Sequence, residues 1–193
     1  MRLTEVLVAD LAANAARTGL WAGLAAVIYD PAFSTVLFYR LAARLYTSGY
    51  RRLGKLAWRL NVMLSACHIH PEAVIGPGLK LPHPTGVTIG VGAWLARNVT
   101  VYQNVTIGAG FRDGCYPRIA ADVIILPNAV LVGGIEIGPR AVIGANAVVI
   151  DNVPADAVVA GNPARIIRIA PATEASPAVH SGFNASRART MES

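Results

Sequence analysis

The 193-residue sequence predicts a mainly β protein, a parallel β-helix preceded by a small α-helical part, and three observations carry that expectation. From Ile119 to Pro154 an aliphatic residue recurs every six positions, at Ile119, Ile125, Leu131, Ile137, Ile143 and Val149. A smaller apolar row follows four positions on, at Val123, Ala129, Ile135, Ala141, Ala147 and Val153. Residues 1 to 66 show no hexads, and their apolar residues recur at helical spacing instead. No α-helix repeats every six residues, whereas three hexads close one triangular coil whose leading side chains point inward and stack on their equivalents about 4.8 Å away. Gly138, Gly144, Asn128, Asn146 and Asn152 fall where the chain must turn a corner, and Gly and Asn tolerate the positive φ that such corners need. A sandwich of short strands would show period-two alternation broken by irregular turns.

Taken in order, the elements divide the chain into a helical part over 1–66, a β-helix over 67–170 and a tail over 171–193. Met1 to Thr18 is rich in Ala and Leu. Asp30-Pro31 is a helix start signal, with Asp30 as N-cap and Pro31 at the first helical position. The helix that follows places Phe33, Leu37, Leu41 and Leu45 on one face and Arg40 and Arg44 on another. Gly49 breaks it, and Arg51 to Leu64 resumes with Leu53, Leu56, Ala57, Leu60 and Leu64 as its apolar stripe. The longest nearly uncharged stretch, Thr18 to Tyr29, is shorter than the roughly twenty apolar residues that span a bilayer, which argues against an integral membrane protein.

The formal charge of +6 is concentrated at this end, where residues 1 to 66 hold eight Lys/Arg against three Asp/Glu. Those charges alternate with core-forming residues and no recognition motif accompanies them, so nucleic-acid binding is not expected. A solvated helix face is the plainest reading, and a peripheral contact with anionic lipid at the inner face of a membrane is the sharper one. Two cysteines, Cys67 and Cys115, make no disulfide framework, and the start of the chain lacks the ordered segments of a signal peptide. The expectation is a reducing, cytoplasmic setting. The Ser/Ala/Arg-rich tail is expected to be disordered.

The hexads begin at Ile69, Ile75 and Leu81, with Ala73, Leu79 and Thr85 as companions. After Leu81 the register slips by two residues and resumes at Ile89, Leu95, Val101 and Ile107, with Ala93, Val99 and Val105 alongside. It breaks again between Gly108 and Arg118. Each break alone is compatible with a tolerated insertion. Together the Pro82-His83-Pro84-Thr85-Gly86 bulge and the 108–118 loop are the candidates for a site. The coil stops at Gly161-Asn162-Pro163-Ala164-Arg165.

With these parts in place the chain resembles a hexapeptide-repeat acyltransferase, and from Ile69 to Ile167 it is similar to the serine acetyltransferase branch. The likeness rests on Ile69-His70-Pro71, Ile75-Gly76-x-Gly78, His83-x-Thr85-Gly86, Val105-Thr106-Ile107-Gly108 before a loop, and Gly161-x-Pro163-Ala164-Arg165. Asp30-Pro31-Ala32 and the Arg40-Leu41-Ala42 helix extend it into a helical part shorter than the branch usually carries. The resemblance implies a left-handed β-helix, acetyl-coenzyme A as donor, and a homotrimer with each active site between two neighbouring coils. Pairing of trimers into hexamers is left open.

Acyl transfer to a hydroxyl needs a base, and a neutral imidazole suits it near pH 7. His83 stands at an outward position in a rigid Pro-x-Pro frame and matches the branch's catalytic histidine. His70 also matches a position of the branch, and its packing beside Ile69 fits a structural hydrogen bond better. Three departures concern the acceptor. The branch places an aspartate before Ile-His-Pro to orient the catalytic imidazole, and here His68 stands there, able to accept a hydrogen bond but adding no fixed negative charge. An aspartate that holds the serine amine is replaced by Pro82, and the Arg-His pair that grips the serine carboxylate is replaced by Cys115-Tyr116. Cys115 reads as an ordinary loop thiol.

By the same resemblance Pro127 and Ala145 would present backbone to the pantetheine arm, and Arg165 would meet the coenzyme's phosphates. The resemblance therefore implies an acetyl-coenzyme A-dependent O-acetyltransferase with Tyr116 reaching in from a neighbouring subunit, and the departures point to a glycan or other neutral hydroxyl as its acceptor. Two alternatives stand beside it: serine O-acetylation in cysteine biosynthesis, and a non-catalytic trimeric scaffold, since fold alone proves no activity. No metal is expected, because the paired-histidine pattern of β-helical carbonic anhydrases is absent.

Overall fold

The computed structural model describes residues 2–15, 20–111 and 114–169, so the expected disorder of the tail falls outside the described residues. Four helices come first: α1 (Leu3–Asn14), α2 (Leu20–Tyr29), α3 (Pro31–Thr47) and α4 (Arg51–Ser65). Asp30 caps α3 as its sequence position requires, its carboxylate accepting from the backbone N–H groups of Ala32 and Phe33 at 2.9 and 3.3 Å. Among the described residues no helix is long and apolar enough to cross a membrane.

Two helical faces differ from the expected ones. On α4 the inward residues are Gly54, Ala57 and Asn61, while Leu53, Leu56, Leu60 and Leu64 are exposed. The reason is the closeness of α3: a Cβ on Gly54 would lie 2.9 Å from the Ala42 carbonyl oxygen and from Tyr46 Cβ, so only small side chains fit that seam. On α3, Leu41 is exposed and Arg40 is buried. Arg40 is drawn inward by Asp10 of α1, which it contacts at 2.9 Å in a pair that is almost wholly out of solvent.

That pair joins the helices to the β-helix. Arg40 donates to the carbonyls of Ile75 and Gly76 at 2.6 Å each, and Asp10 accepts from the N–H groups of Gly78 and Leu79. Asn14 behaves like a short piece of strand, donating to the Leu79 carbonyl at 2.7 Å and accepting from Leu81 N–H at 2.9 Å. Tyr39 donates its hydroxyl to the Ala73 carbonyl at 2.8 Å. Buried charges hold only when paired and fully hydrogen-bonded, and here every partner is in place.

From His68 onward the chain winds as a triangular parallel β-helix. Face A carries β1 (His68–Ile69), β3 (Thr88–Ile89), β6 (Thr106–Gly108), β9 (Val130–Val132) and β12 (Val148–Val149) in that order. Face B carries β2 (Val74–Ile75), β4 (Trp94–Leu95), β7 (Arg118–Ile119) and β10 (Glu136–Ile137). Face C carries β5 (Thr100–Val101), β8 (Ile124–Ile125), β11 (Val142–Ile143) and β13 (Ala157–Ala160), and β14 (Arg165–Ile169) turns back antiparallel onto β13. Every leading hexad residue is in register with its equivalent in the next coil, as in the run Val101, Ile125, Ile143. The leading residues from Ile119 to Val149 are at most 1% exposed, and a buried aliphatic side chain of this size contributes about 1.5–3 kcal/mol.

The corners are partly as expected. Asn128 and Asn146 adopt positive φ, and so do Asn98, Asn104, Asp122, Arg140 and Asp156. Gly138, Gly144 and Asn152 do not. The two glycines answer a different need, since a Cβ on Gly144 would sit 2.7 Å from Ala160 Cβ and one on Gly138 would overlap the backbone of Pro154 and Ala155. Thr85, placed by hexad counting in the inner row, is exposed, and Val87 fills the interior after the slip.

Candidate functional site

The eight-residue spacing from Leu81 to Ile89, in place of six, pushes the chain outward at the corner between faces C and A of the first coil. His83 is exposed at the tip, between half-buried Pro82 and buried Pro84. Two backbone bonds pin the far side of the bulge, Gly86 N–H to the Ala66 carbonyl and Asn104 N–H to the Thr85 carbonyl. Directly above, the same corner repeats with one residue per coil: Gln103, Pro127 and Ala145, each linked to the next coil through Asn128 N–H to Gln103 O and Asn146 N–H to Pro127 O. The bulge therefore holds an imidazole at the foot of a column of corner residues.

Two residues of this corner were not singled out by hexad counting. The ring of Tyr102 lies 6.5 Å from that of His83. Beside it, the side-chain oxygen of Gln103 is buried and has no hydrogen-bond partner among the described residues. A buried acceptor without a donor is costly and calls for an explanation. Carrying the register of face C down past Lys80, which bridges Thr100, would have found both.

The second register break opens at the other edge of face A. Before β7 the Tyr116 ring covers Gly90 and Gly92, where any Cβ would overlap it. Tyr116 is half-buried against the core, and Cys115 is exposed, its carbonyl accepting from Gly110 N–H at 2.9 Å. In a single chain, then, His83 and the Cys115-Tyr116 pair stand at opposite edges of one face of the prism.

His68 is on the outer side of β1, and its ring meets Trp58 of α4 edge-on at 5.1 Å. His70 meets the same indole at 5.2 Å, and its Nδ1 accepts from Glu72 N–H at 3.2 Å. Burial lowers the His70 pKa, and the charges of Lys55 and His68 act in the same direction against that of Glu72. Burial also pushes the Cys67 thiol up to about 12. Arg165, at the start of β14, is 69% exposed and faces the equally exposed Asp151 at 3.9 Å, a pair too solvated to hold it. A broader depression of about 510 Å³ on face B, lined by Trp94, Arg118 and Glu136 among others, contains neither His83 nor the corner column. Among the described residues no three His, Cys, Asp or Glu side chains gather where they could hold a metal ion.

Residues 116–151 match the family model described as bacterial transferase hexapeptide (six repeats). The serine acetyltransferase of Mycobacterium tuberculosis is 40% identical over 139 residues, which is 71% of this chain and 61% of that protein. The serine acetyltransferase of Synechococcus elongatus is 33% identical over 171 residues, 88% of this chain and 70% of that protein. The chain belongs to the serine acetyltransferase family.

The shared architecture of that family extends to solved structures. A serine acetyltransferase from Brucella abortus, solved in complex with coenzyme A, superposes with a TM-score of 0.78 at 31% identity, covering 87% of this chain and 68% of that one. The chain spans about half to two thirds of the length of several curated serine acetyltransferases it matches.

Proposed function

We propose that the chain is an acetyl-coenzyme A-dependent O-acetyltransferase with His83 as general base. The observation that carries this reading is the bulge, which costs the repeat its register and holds an exposed imidazole at the foot of the corner column. The coenzyme supplies an acetyl thioester. Pro127 and Ala145 would line its pantetheine arm, the partnerless Gln103 oxygen suits an amide N–H of that arm, and the solvated Arg165 is free to meet phosphate with paired donors. His83 takes the hydroxyl proton of the acceptor as its oxygen attacks the thioester carbonyl, and the imidazolium returns that proton to the departing sulfur. The products are the O-acetyl ester and free coenzyme A.

L-serine is the acceptor that the relatives favour. A neutral hydroxyl acceptor, such as a sugar, is the second reading, favoured by Pro82 and Cys115-Tyr116 standing where the resemblance implies charged groups. Closed threefold assembly is part of the proposal. His83 and Tyr116 occupy opposite edges of face A, so a site that uses both requires the edge of a second copy.

The test is release of the coenzyme thiol with L-serine against a panel of nucleotide sugars and oligosaccharides. Saturable turnover with L-serine supports the first reading, and preference for a sugar supports the second. Absence of thiol release with every acceptor would overturn both.

A further inference from the structure

Under α4, at the outer side of β1, lies a cavity of about 270 Å³ lined by Lys55, Trp58, Arg59, Val62 and His68. Its polar side chains are two cations, an indole N–H and an imidazole, and no carboxylate lines it. The composition of the segment makes this one-sided, because no acidic residue occurs between Asp30 and Glu72. Glu72 itself stands by His70, 3.9 Å from its Nδ1. The indole N–H of Trp58 is buried and finds no acceptor among the described residues. Lys55 and Arg59 are exposed, so solvent screens their repulsion, whereas the buried indole N–H without an acceptor carries a desolvation cost. An anion with several acceptor oxygens would supply that acceptor and pair with the two cations.

We propose that this cavity is an oxyanion site, taking a small carboxylate or phosphate group held by Lys55 and Arg59 with Trp58 and His68 as further donors. Arg59 offers a planar fork that matches either group, and Lys55 supplies a mobile point charge. The volume fits a small ion or a compact metabolite. The cavity adjoins the bulge, since His68 donates its N–H to the Val87 carbonyl and Ala66 accepts from Gly86 N–H, but the inference does not depend on acetyl transfer.

The test follows the Trp58 indole and the His68 and His70 ring signals of the full chain by NMR at constant ionic strength. Malonate, inorganic phosphate and L-serine are the titrants. The expected result is a saturable shift of these signals with at least one titrant, weakened about tenfold or more in the Lys55→Met/Arg59→Met double variant. Both side chains are exposed, and the variant keeps their apolar stems. Trp58→Phe, which keeps a ring and loses the N–H, should weaken binding by a smaller factor. A response to phosphate alone identifies a phosphate group, and a shared response to malonate and L-serine identifies a carboxylate. Signals that do not saturate, or that respond identically in the double variant, would overturn the site.

Discussion

The coils from Ile119 to Val153 and the first coil from His68 to Val87 are turns of the same prism, yet they are built on opposite terms. The later coils are apolar inside and repeat one solution, with Ile, Leu or Val stacked on its equivalent at every flat. The first coil leans on features that have no equivalent elsewhere among the described residues: a buried ion pair, an asparagine acting as a strand, a buried thiol, and a bulge that carries an imidazole. Repetition supplies the stability, and the places that break it hold the groups capable of chemistry.

The sharpest way to separate the two is His83→Ala. Turnover should fall by about two to four orders of magnitude while the melting temperature stays within a degree or two of the parent, because the ring is exposed and stacks on no core residue. Near-full turnover in this variant would remove the assigned base and with it the reason for the bulge.

A smaller effect compares stability in the two regions. Arg40→Met strands Asp10 without a charge partner and should cost about 3–5 kcal/mol, read by denaturant unfolding. Leu131→Ala in the repeating core should cost about 2–5 kcal/mol by emptying one step of the stack. The discriminating step is a second change. Asp10→Leu on the Arg40→Met background should cost clearly less than the two single losses added together, since it removes the stranded charge, while the Gly78 and Leu79 N–H groups still lose their acceptor. A cavity shows no such coupling to one distant residue. Strictly additive losses at Asp10 and Arg40 would contradict the account of the junction.

The third effect is the dependence on pH, which is slight near neutrality and grows toward the alkaline end. Burial raises Cys67 from 9.0 to about 12 and Tyr39 from 10.0 to about 12, so above pH 9.0 the unfolded chain releases protons that the folded chain retains. Stability should therefore be full below 9.0 and decline as pH rises toward 12. His70 is shifted downward from 6.5, so the unfolded chain takes up its proton first and stability declines as pH falls below 6.5. Both slopes belong to the first coil and the helix docked on it. Cys67→Ala should flatten the alkaline slope, and Leu131→Ala should leave its steepness unchanged. Equal steepness in parent and Cys67→Ala would remove the thiol from the account.

The sequence displayed the β-helix because its period is written in large aliphatic side chains, one every six residues, with little room for another reading. It displayed the bulge for the same reason, as a fault in a regular pattern. The corners were harder, since Gly and Asn report two needs at once. Asn128 answers positive φ, while Gly138 and Gly144 answer close approach of the next coil. On α4 the leucines form a convincing stripe, but the face that packs is chosen by the spacing to α3, which the helix's own sequence does not contain. Tyr102 and Gln103 became visible only when coils were aligned through Lys80 and Thr100. The cavity at Trp58 joins residues of α4 to a strand residue, and no linear pattern records that meeting.

Asn14 and β14 have a consequence for how long the object can become. A stack of coils ends, at either side, in a row of unpaired N–H and C=O groups that is itself a template for another coil. At the lower rim Asn14 occupies part of that row by bonding Leu79 and Leu81, and at the upper rim β14 reverses direction and pairs β13 antiparallel. On face C, then, neither rim of the described stack offers a free parallel edge to a further coil.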